Sequence, residues 1–250
     1  MSRVALVDVI ALTRLEGVVM RLVEPQEQDR QVTGRITDNM DEQAFLETFL
    51  EDSQPELPDA NECPLRHPFL LTPFCCHKRY GSRFSTRWER GLFYGSRSRP
   101  GCLLEGAYYA LVFQSGPERP FPKRSTMCKK LFHVEVSAEY GLQLQFQGDE
   151  TLQNLLRHPH DYRFTQQVGQ HMREAGIQAF EYHSARSTEA VMQIGVLSCG
   201  VFQSLPFDQV EIQVEANANE VIFHCFDDNN VYHFLREQFL VDGLLPQPAT

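Results

Sequence analysis

Two features stand out by residue type: a cluster of arginines that includes Arg83, and a lone carboxylate after it, Glu105. Arg83 and Tyr94 are 11 residues apart, and Tyr94 and Glu105 another 11. A guanidinium fork matches phosphate oxygens in two places. Arg83 sits in a basic run, 78–99, where Lys78, Arg79, Arg83, Arg87, Arg90, Arg97 and Arg99 face a single acid, Glu89. The surrounding chain is acidic, with a formal net charge of -10. Beyond the run the sequence turns apolar around one carboxylate, Glu105, with Tyr108 and Tyr109 close behind. Clustered cations attract phosphates, and convergent polar groups beside aromatics make a pocket. The pattern suits a small anionic substrate that reacts at one point. Taken singly, the basic run also reads as a solvated loop, Glu105 as a helix-surface acid and Tyr94 as a core tyrosine.

Several elements must position these groups. Leu92-Phe93-Tyr94 reads as a short strand ending at Gly95, and Pro100 suits the first turn of a helix. Leu103, Leu104, Ala107, Leu111 and Tyr108 then share a helical stripe, with Glu105 beside it. Alternation predicts strands over 131–136 and 142–146, joined by a turn at Gly141. Helices are expected over 151–157 and 166–175, and a strand over 177–182 that runs into His183-Ser184. Strand alternation would turn His183 away from Ser184. An apolar strand region follows at 192–202, then a hairpin of 210–214 and 221–226 around Asn217-Ala218-Asn219. Residues 231–239 read equally as a final helix or a last pairing strand. Near the N-terminus, 18–23 looks like a strand stopped by Pro25, 41–50 like an amphipathic helix, and 52–59 like a Pro-broken loop. The expected fold class is α+β, a mixed α/β core. Its divisions are an acidic N-terminal extension packed on the core (1–65), a catalytic core (66–205), and a C-terminal hairpin and closing element of the same domain (206–250).

Composition excludes some classes. The acidic balance argues against nucleic-acid binding, which normally needs a basic face. No stretch approaches the ~20 apolar residues of a membrane span, and no export signal is evident, so a cytoplasmic location is expected. There is no G-x-G-x-x-G, Walker loop, H-E-x-x-H or G-x-S-x-G. The 7 cysteines have no framework spacing. Cys75-Cys76-His77 with Cys63 suggests a metal site, but adjacent cysteines serve one tetrahedral ion badly. Reduced, mostly buried thiols and no metal are the expectation.

Gly81-Ser82-Arg83-Phe84, Tyr94-Gly95-Ser96, Leu104-Glu105-Gly106-Ala107-Tyr108-Tyr109 and Tyr182-His183-Ser184-Ala185-Arg186 together carry a resemblance. Their Arg…Glu…Ser order, with the tyrosine between, resembles the RES-domain family, named for those three residues. Arg14-Leu15-Glu16-Gly17 and Arg21-Leu22-Val23-Glu24 look like its longer members. The resemblance implies an ADP-ribosyltransferase-like core around a cleft that takes NAD+ as substrate, with no further cofactor. It also implies a toxin blocked by an Xre-type antitoxin. Carried over residue by residue, the family's groups are Arg83, Tyr94, Glu105 and Ser184. Arg97, Arg99, Pro100 and Gly101 depart from the small, polar and apolar residues more often found there, which implies a later helix start. A homodimer is compatible with the sequence, though no residue specifies one.

On that reading the chemistry needs one carboxylate. Nicotinamide leaves as a neutral molecule, so no acid has to protonate it, unlike the oxygen of an ordinary glycoside. Glu105 would stabilise the oxocarbenium ion and hold ribose hydroxyls. Arg83 would hold pyrophosphate, with Arg87 and Arg186 as further phosphate candidates. Tyr94 would pack on nicotinamide or ribose, and Ser184 would donate a hydrogen bond there. The acceptor is water or phosphate in the leading reading. Alternatives are mono-ADP-ribosyl transfer to a protein, and a non-catalytic module that holds a phosphorylated ligand.

Overall fold

From Phe132 to Ala138, buried and more exposed positions alternate: Phe132, Val134, Val136 and Ala138 point inward, His133, Glu135 and Ser137 outward. That period of two builds a strand, and here it grows into the longest element. The computed structural model describes residues 12–25, 58–75, 80–116 and 124–247. The helix expected over 41–50 lies outside them, as do Cys76, His77, Lys78 and Arg79. In chain order the elements are β1 (Thr13–Val23), α1 (Pro68–Leu71), β2 (Phe93–Ser96), α2 (Arg99–Ser115), β3 (Ser125–Gln143), α3 (Glu150–Leu156) and α4 (Arg163–Glu174). There follow β4 (Ala179–His183), β5 (Met192–Val196), β6 (Phe207–Ala216), β7 (Glu220–Cys225) and β8 (Asn230–Leu235). This is a mixed α/β fold.

The strands form one eight-stranded sheet ordered β1-β2-β5-β4-β3-β6-β7-β8, with β1 also paired to β3. The pairings β1–β2–β5–β4–β3–β1 therefore close on themselves, and β6, β7 and β8 extend from the first half of β3. β3 runs antiparallel to β1 and β6 and parallel to β4. It also passes straight through Gly141, where a turn was expected. There the strand lies between Thr13 of β1 and Ala179 of β4. A Cβ on Gly141 would fall 2.8 Å from the Thr13 carbonyl oxygen. The glycine is needed for close approach, not for a bend.

The expected hairpin is β6–β7, with Asn217 Oδ1 accepting from the Asn219 and Glu220 amides. Residues 231–239 divide: β8 pairs with β7, and Arg236–Phe239 forms a short 3-10 turn. α2 begins at Arg99, not later. Ser98 caps it by accepting from the Gly101 amide at 3.2 Å, and Pro100 occupies the first turn. Leu103, Ala107 and Leu111 bury that helix against Ile212, Val214 and Phe223.

Cysteine chemistry departs from expectation. Cys63 and Cys199 form a disulfide across 136 residues, with Cα atoms 5.1 Å apart. It ties the segment before α1 to the turn after β5. Cys75, Cys102 and Cys225 are buried and Cys128 is exposed. The expectation of uniformly reduced thiols was wrong because chain distance hid the pair.

α4 packs Val168 and Met172 beside Phe84 and Phe180, and Gly169 lies flat on the Phe84 backbone. This contact holds the turn that carries Arg83. Gly169→Ala would gain ~1 kcal/mol of helix propensity, but its methyl would overlap the Phe84 carbonyl, which cannot rotate away. Overpacking of ~1–3 kcal/mol should win. Urea denaturation is expected to show a net loss of up to about 2 kcal/mol.

Candidate active site

One face of α2 carries Cys102, Glu105, Gly106, Tyr109, Ala110 and Phe113, spaced by three or four residues. This face roofs a cavity of about 660 Å³ over the sheet. Three guanidiniums reach the same cavity from separate elements. Arg21 comes from β1, Arg83 from the turn before β2, and Arg186 from the loop after β4. Tyr94 of β2 completes the wall between Arg21 and Arg83.

The carboxylate is held by a short chain of hydrogen bonds. Ser184 Oγ donates to Glu105 Oε1 at 2.6 Å and accepts from the Arg186 amide at 3.0 Å. Ser184 is fully buried, behind Glu105 and off the cavity wall. Its single hydroxyl proton is committed to Glu105, so it orients the carboxylate and has none left for a ligand. Arg186 Nη1 donates to the Pro159 carbonyl at 2.8 Å and Nη2 to the Tyr162 hydroxyl. Its guanidinium carbon lies 3.5 Å from the centre of the Tyr108 ring. Glu24, the other carboxylate on the cavity, is exposed at the rim and paired to Lys129 at 2.8 Å.

Arg83 is 9% exposed. Its Nη1 donates to the carbonyls of Leu156 and His158 at 3.2 and 2.8 Å, and its guanidinium stacks on the Tyr162 ring at 4.5 Å. Its Nη2 is buried without a partner. The Tyr94 hydroxyl accepts from the Phe84 amide at 3.0 Å and meets Ser82 Oγ at 2.9 Å. Burial pushes that phenol up to about 12, so it stays protonated. Tyr94 thus clamps the turn on both sides of Arg83. Burial also raises the phenols of Tyr108 and Tyr182, which stay neutral at working pH.

The basic run does not stay together. Arg90 pairs with Glu62, Arg97 with Glu181, and Arg99 with Asp227 and Asp228. Arg87 stacks on exposed Trp88 at 4.1 Å and does not line the cavity. Of the run's described basic residues, only Arg83 does so. Arg21, Tyr162, Tyr182 and Gln193 also face the cavity and were not among the expected site residues. For Arg21 a signal existed: it follows buried Val19 by two, a position strand alternation assigns to the same face. Among the described residues, no cluster of three or more His, Cys, Asp or Glu could hold a metal ion.

Tyr94→Phe keeps the ring but removes the clamp. It leaves the amide of fully buried Phe84 without its acceptor, which should cost ~1–3 kcal/mol in urea denaturation. Tyr109→Phe, altering an exposed hydroxyl on the roof, should stay within about 0.5 kcal/mol of wild type.

No curated protein matches the chain. Among solved structures it resembles one titled as the MbcT–MbcA toxin–antitoxin complex of M. tuberculosis. That match has 10% identity and a TM-score of 0.44, covering 83% of this chain and 87% of that one. The RES-domain family model matches residues 63–210, well over half of the sequence. That span holds Arg83, Tyr94, Glu105, Ser184 and Arg186, and the chain belongs to the RES-domain family.

Proposed function

We propose that this protein is an enzyme that cleaves the nicotinamide–ribose bond of NAD+, and that it acts as a toxin by depleting NAD+. The observation that carries the reading is the Ser184–Glu105 hydrogen bond. It presents one oriented carboxylate to a cavity whose other carboxylate is tied up at the rim. A two-carboxylate glycosidase needs a second acid for its leaving group. A positively charged nicotinamide does not. The carbon–nitrogen bond breaks with both electrons going to the ring nitrogen, and neutral nicotinamide departs. Positive charge grows on the ribose, where the Glu105 carboxylate stabilises it. With Oε1 engaged by Ser184, Oε2 is available to the ribose hydroxyls. The Arg83 guanidinium on the cavity wall supplies positive charge for the pyrophosphate. Water or phosphate completes the reaction by bonding to the anomeric carbon. Family membership supports NAD+ as substrate, and an Xre-type antitoxin as the partner that blocks the cleft.

Purified protein incubated with NAD+ should release nicotinamide. Chromatography of the second product, with and without phosphate, distinguishes ADP-ribose from ADP-ribose 1″-phosphate. Intact NAD+ after long incubation would sink the reading. Glu105→Gln removes the charge but keeps the shape, so turnover should fall about 10²–10³-fold. NAD+ should still raise the mutant's melting temperature, because binding outlives the chemistry. Arg83→Ala should weaken NAD+ binding roughly ten- to hundredfold. Arg87→Ala, on a residue away from the cavity, should leave it near wild type. Equal titration curves for the two variants would contradict the site.

A further inference from the structure

The loop between α3 and α4, residues 157–162, reaches both Arg83 and Arg186. The His158 carbonyl, with that of Leu156 just before the loop, accepts from Arg83, and the Tyr162 ring stacks on the same guanidinium. The Pro159 carbonyl and the Tyr162 hydroxyl accept from Arg186. Among the described residues, every hydrogen bond from these two guanidiniums ends on this loop or on the residue before it. The two cations are therefore placed by the loop, and keep their place only while it is held.

Inside the loop, His158 makes that hold. Its Nδ1 accepts from the Asp161 amide at 2.9 Å. Asp161 Oδ1 accepts in turn from the amide of Arg163, the first residue of α4, at 3.0 Å. A backbone amide only donates, so Nδ1 must be bare and the ring proton must sit on Nε2. A second proton on the ring makes Nδ1 a donor that faces a donor. The Asp161 amide then loses its acceptor, and the chain of bonds from His158 to α4 breaks at its first link.

The surroundings oppose that second proton. The His160 ring lies edge-on at 4.7 Å. Arg83, from the turn before β2, and Arg163, from α4, add positive charge, while the Asp161 carboxylate pulls the other way but is already paired to Arg163. Burial first, and then His160, hold the imidazole below its ordinary value of 6.5. The neutral ring is the form the fold selects. The hold is therefore complete above the ordinary value and is lost as pH falls through the lowered one.

We propose that His158 is a positioning residue that makes the site pH-sensitive: protonation of Nδ1 releases the 157–162 loop, Arg83 loses its carbonyls, and the cavity loosens its grip on an anionic ligand in mild acid. The ligand part rests on the NAD+ reading, and the loop part does not.

Asparagine puts an amide oxygen where the imidazole has Nδ1, and that oxygen accepts at any pH. The fold already uses an oxygen with this spacing, from Asp149 Oδ1 to the Leu152 amide. His158→Asn should keep the hold and remove its pH dependence, whereas His158→Leu should lose the hold at every pH. The first measurement is ¹H–¹⁵N NMR of the full chain without ligand, between about pH 7.5 and about pH 5. In wild type, hydrogen-exchange protection of the Asp161 amide should fall at least about threefold, since one linked proton shifts an equilibrium by at most about tenfold per pH unit. The Arg83 Nε–H signal should move with the same midpoint. Both should stay flat in His158→Asn. Equal profiles in wild type and His158→Asn overturn the proposal, as does an Arg83 signal that ignores the loss of Asp161 protection. The second measurement is NAD+ titration by calorimetry. Kd should rise at least about threefold over the same range in wild type and not change with pH in His158→Asn. A Kd that is flat in wild type overturns the link to ligand. NAD+ that fails to bind at either pH refutes the NAD+ reading, and the Asp161 and Arg83 signals still decide whether His158 positions the site.

Discussion

The site depends on one hydrogen bond, from Ser184 Oγ to Glu105 Oε1. It joins α2 to the loop that leaves β4, so it forms only when that helix lies against the closed part of the sheet. Everything that sets the helix height therefore sets the carboxylate. Ser98 and Pro100 fix where the helix starts, and Leu103, Ala107 and Leu111 fix how deep it sits. The Arg186 amide fixes the serine from behind. A carboxylate oriented in this way is preorganised.

Tyr94 has a comparable role for the cations. Its hydroxyl clamps the turn bearing Arg83, and its carbonyl receives Arg21. Neither arginine has a carboxylate partner among the described residues, although ion-paired arginines are common elsewhere in the chain. Carbonyls and aromatic faces compensate much of the burial cost while leaving the net positive charge in place. A carboxylate partner would cancel that charge. Keeping acids away from these two groups leaves the cavity attractive to anions, despite an overall formal charge of -10.

The acidic surface and cationic cavity are consistent because pairing sorts the charges. Arg90, Arg97 and Arg99 are spent on acids distant in sequence, as far away as Asp227 and Asp228. They join segments: Arg97 ties the start of α2 to β4, and Arg99 ties it to the β7–β8 turn. The basic run is in this sense mostly a set of fasteners around Glu105, with Arg83 alone turned inward.

Much of the fold could be read locally. Pro100 in the first turn of α2, the hairpin around Asn217 and the alternation of β3 follow from turn chemistry and periodicity, which act between near neighbours. The spacing of Arg83, Tyr94, Glu105 and Ser184 likewise marked the cavity's neighbourhood. Other features depend on residues meeting across the chain. Gly141 reads as a turn until β1 crosses it, and Cys63 reads as a free thiol until Cys199 arrives from 136 residues away. Seven clustered basic residues read as one cationic patch until remote carboxylates claim most of those described. Arg21 gains meaning only when β1 closes the sheet beside Tyr94. Sequence determined the types of group and the local elements that carry them. Tertiary structure decided which charges are neutralised and which remain, because electrostatic partnership depends on distance in space and not on distance along the chain.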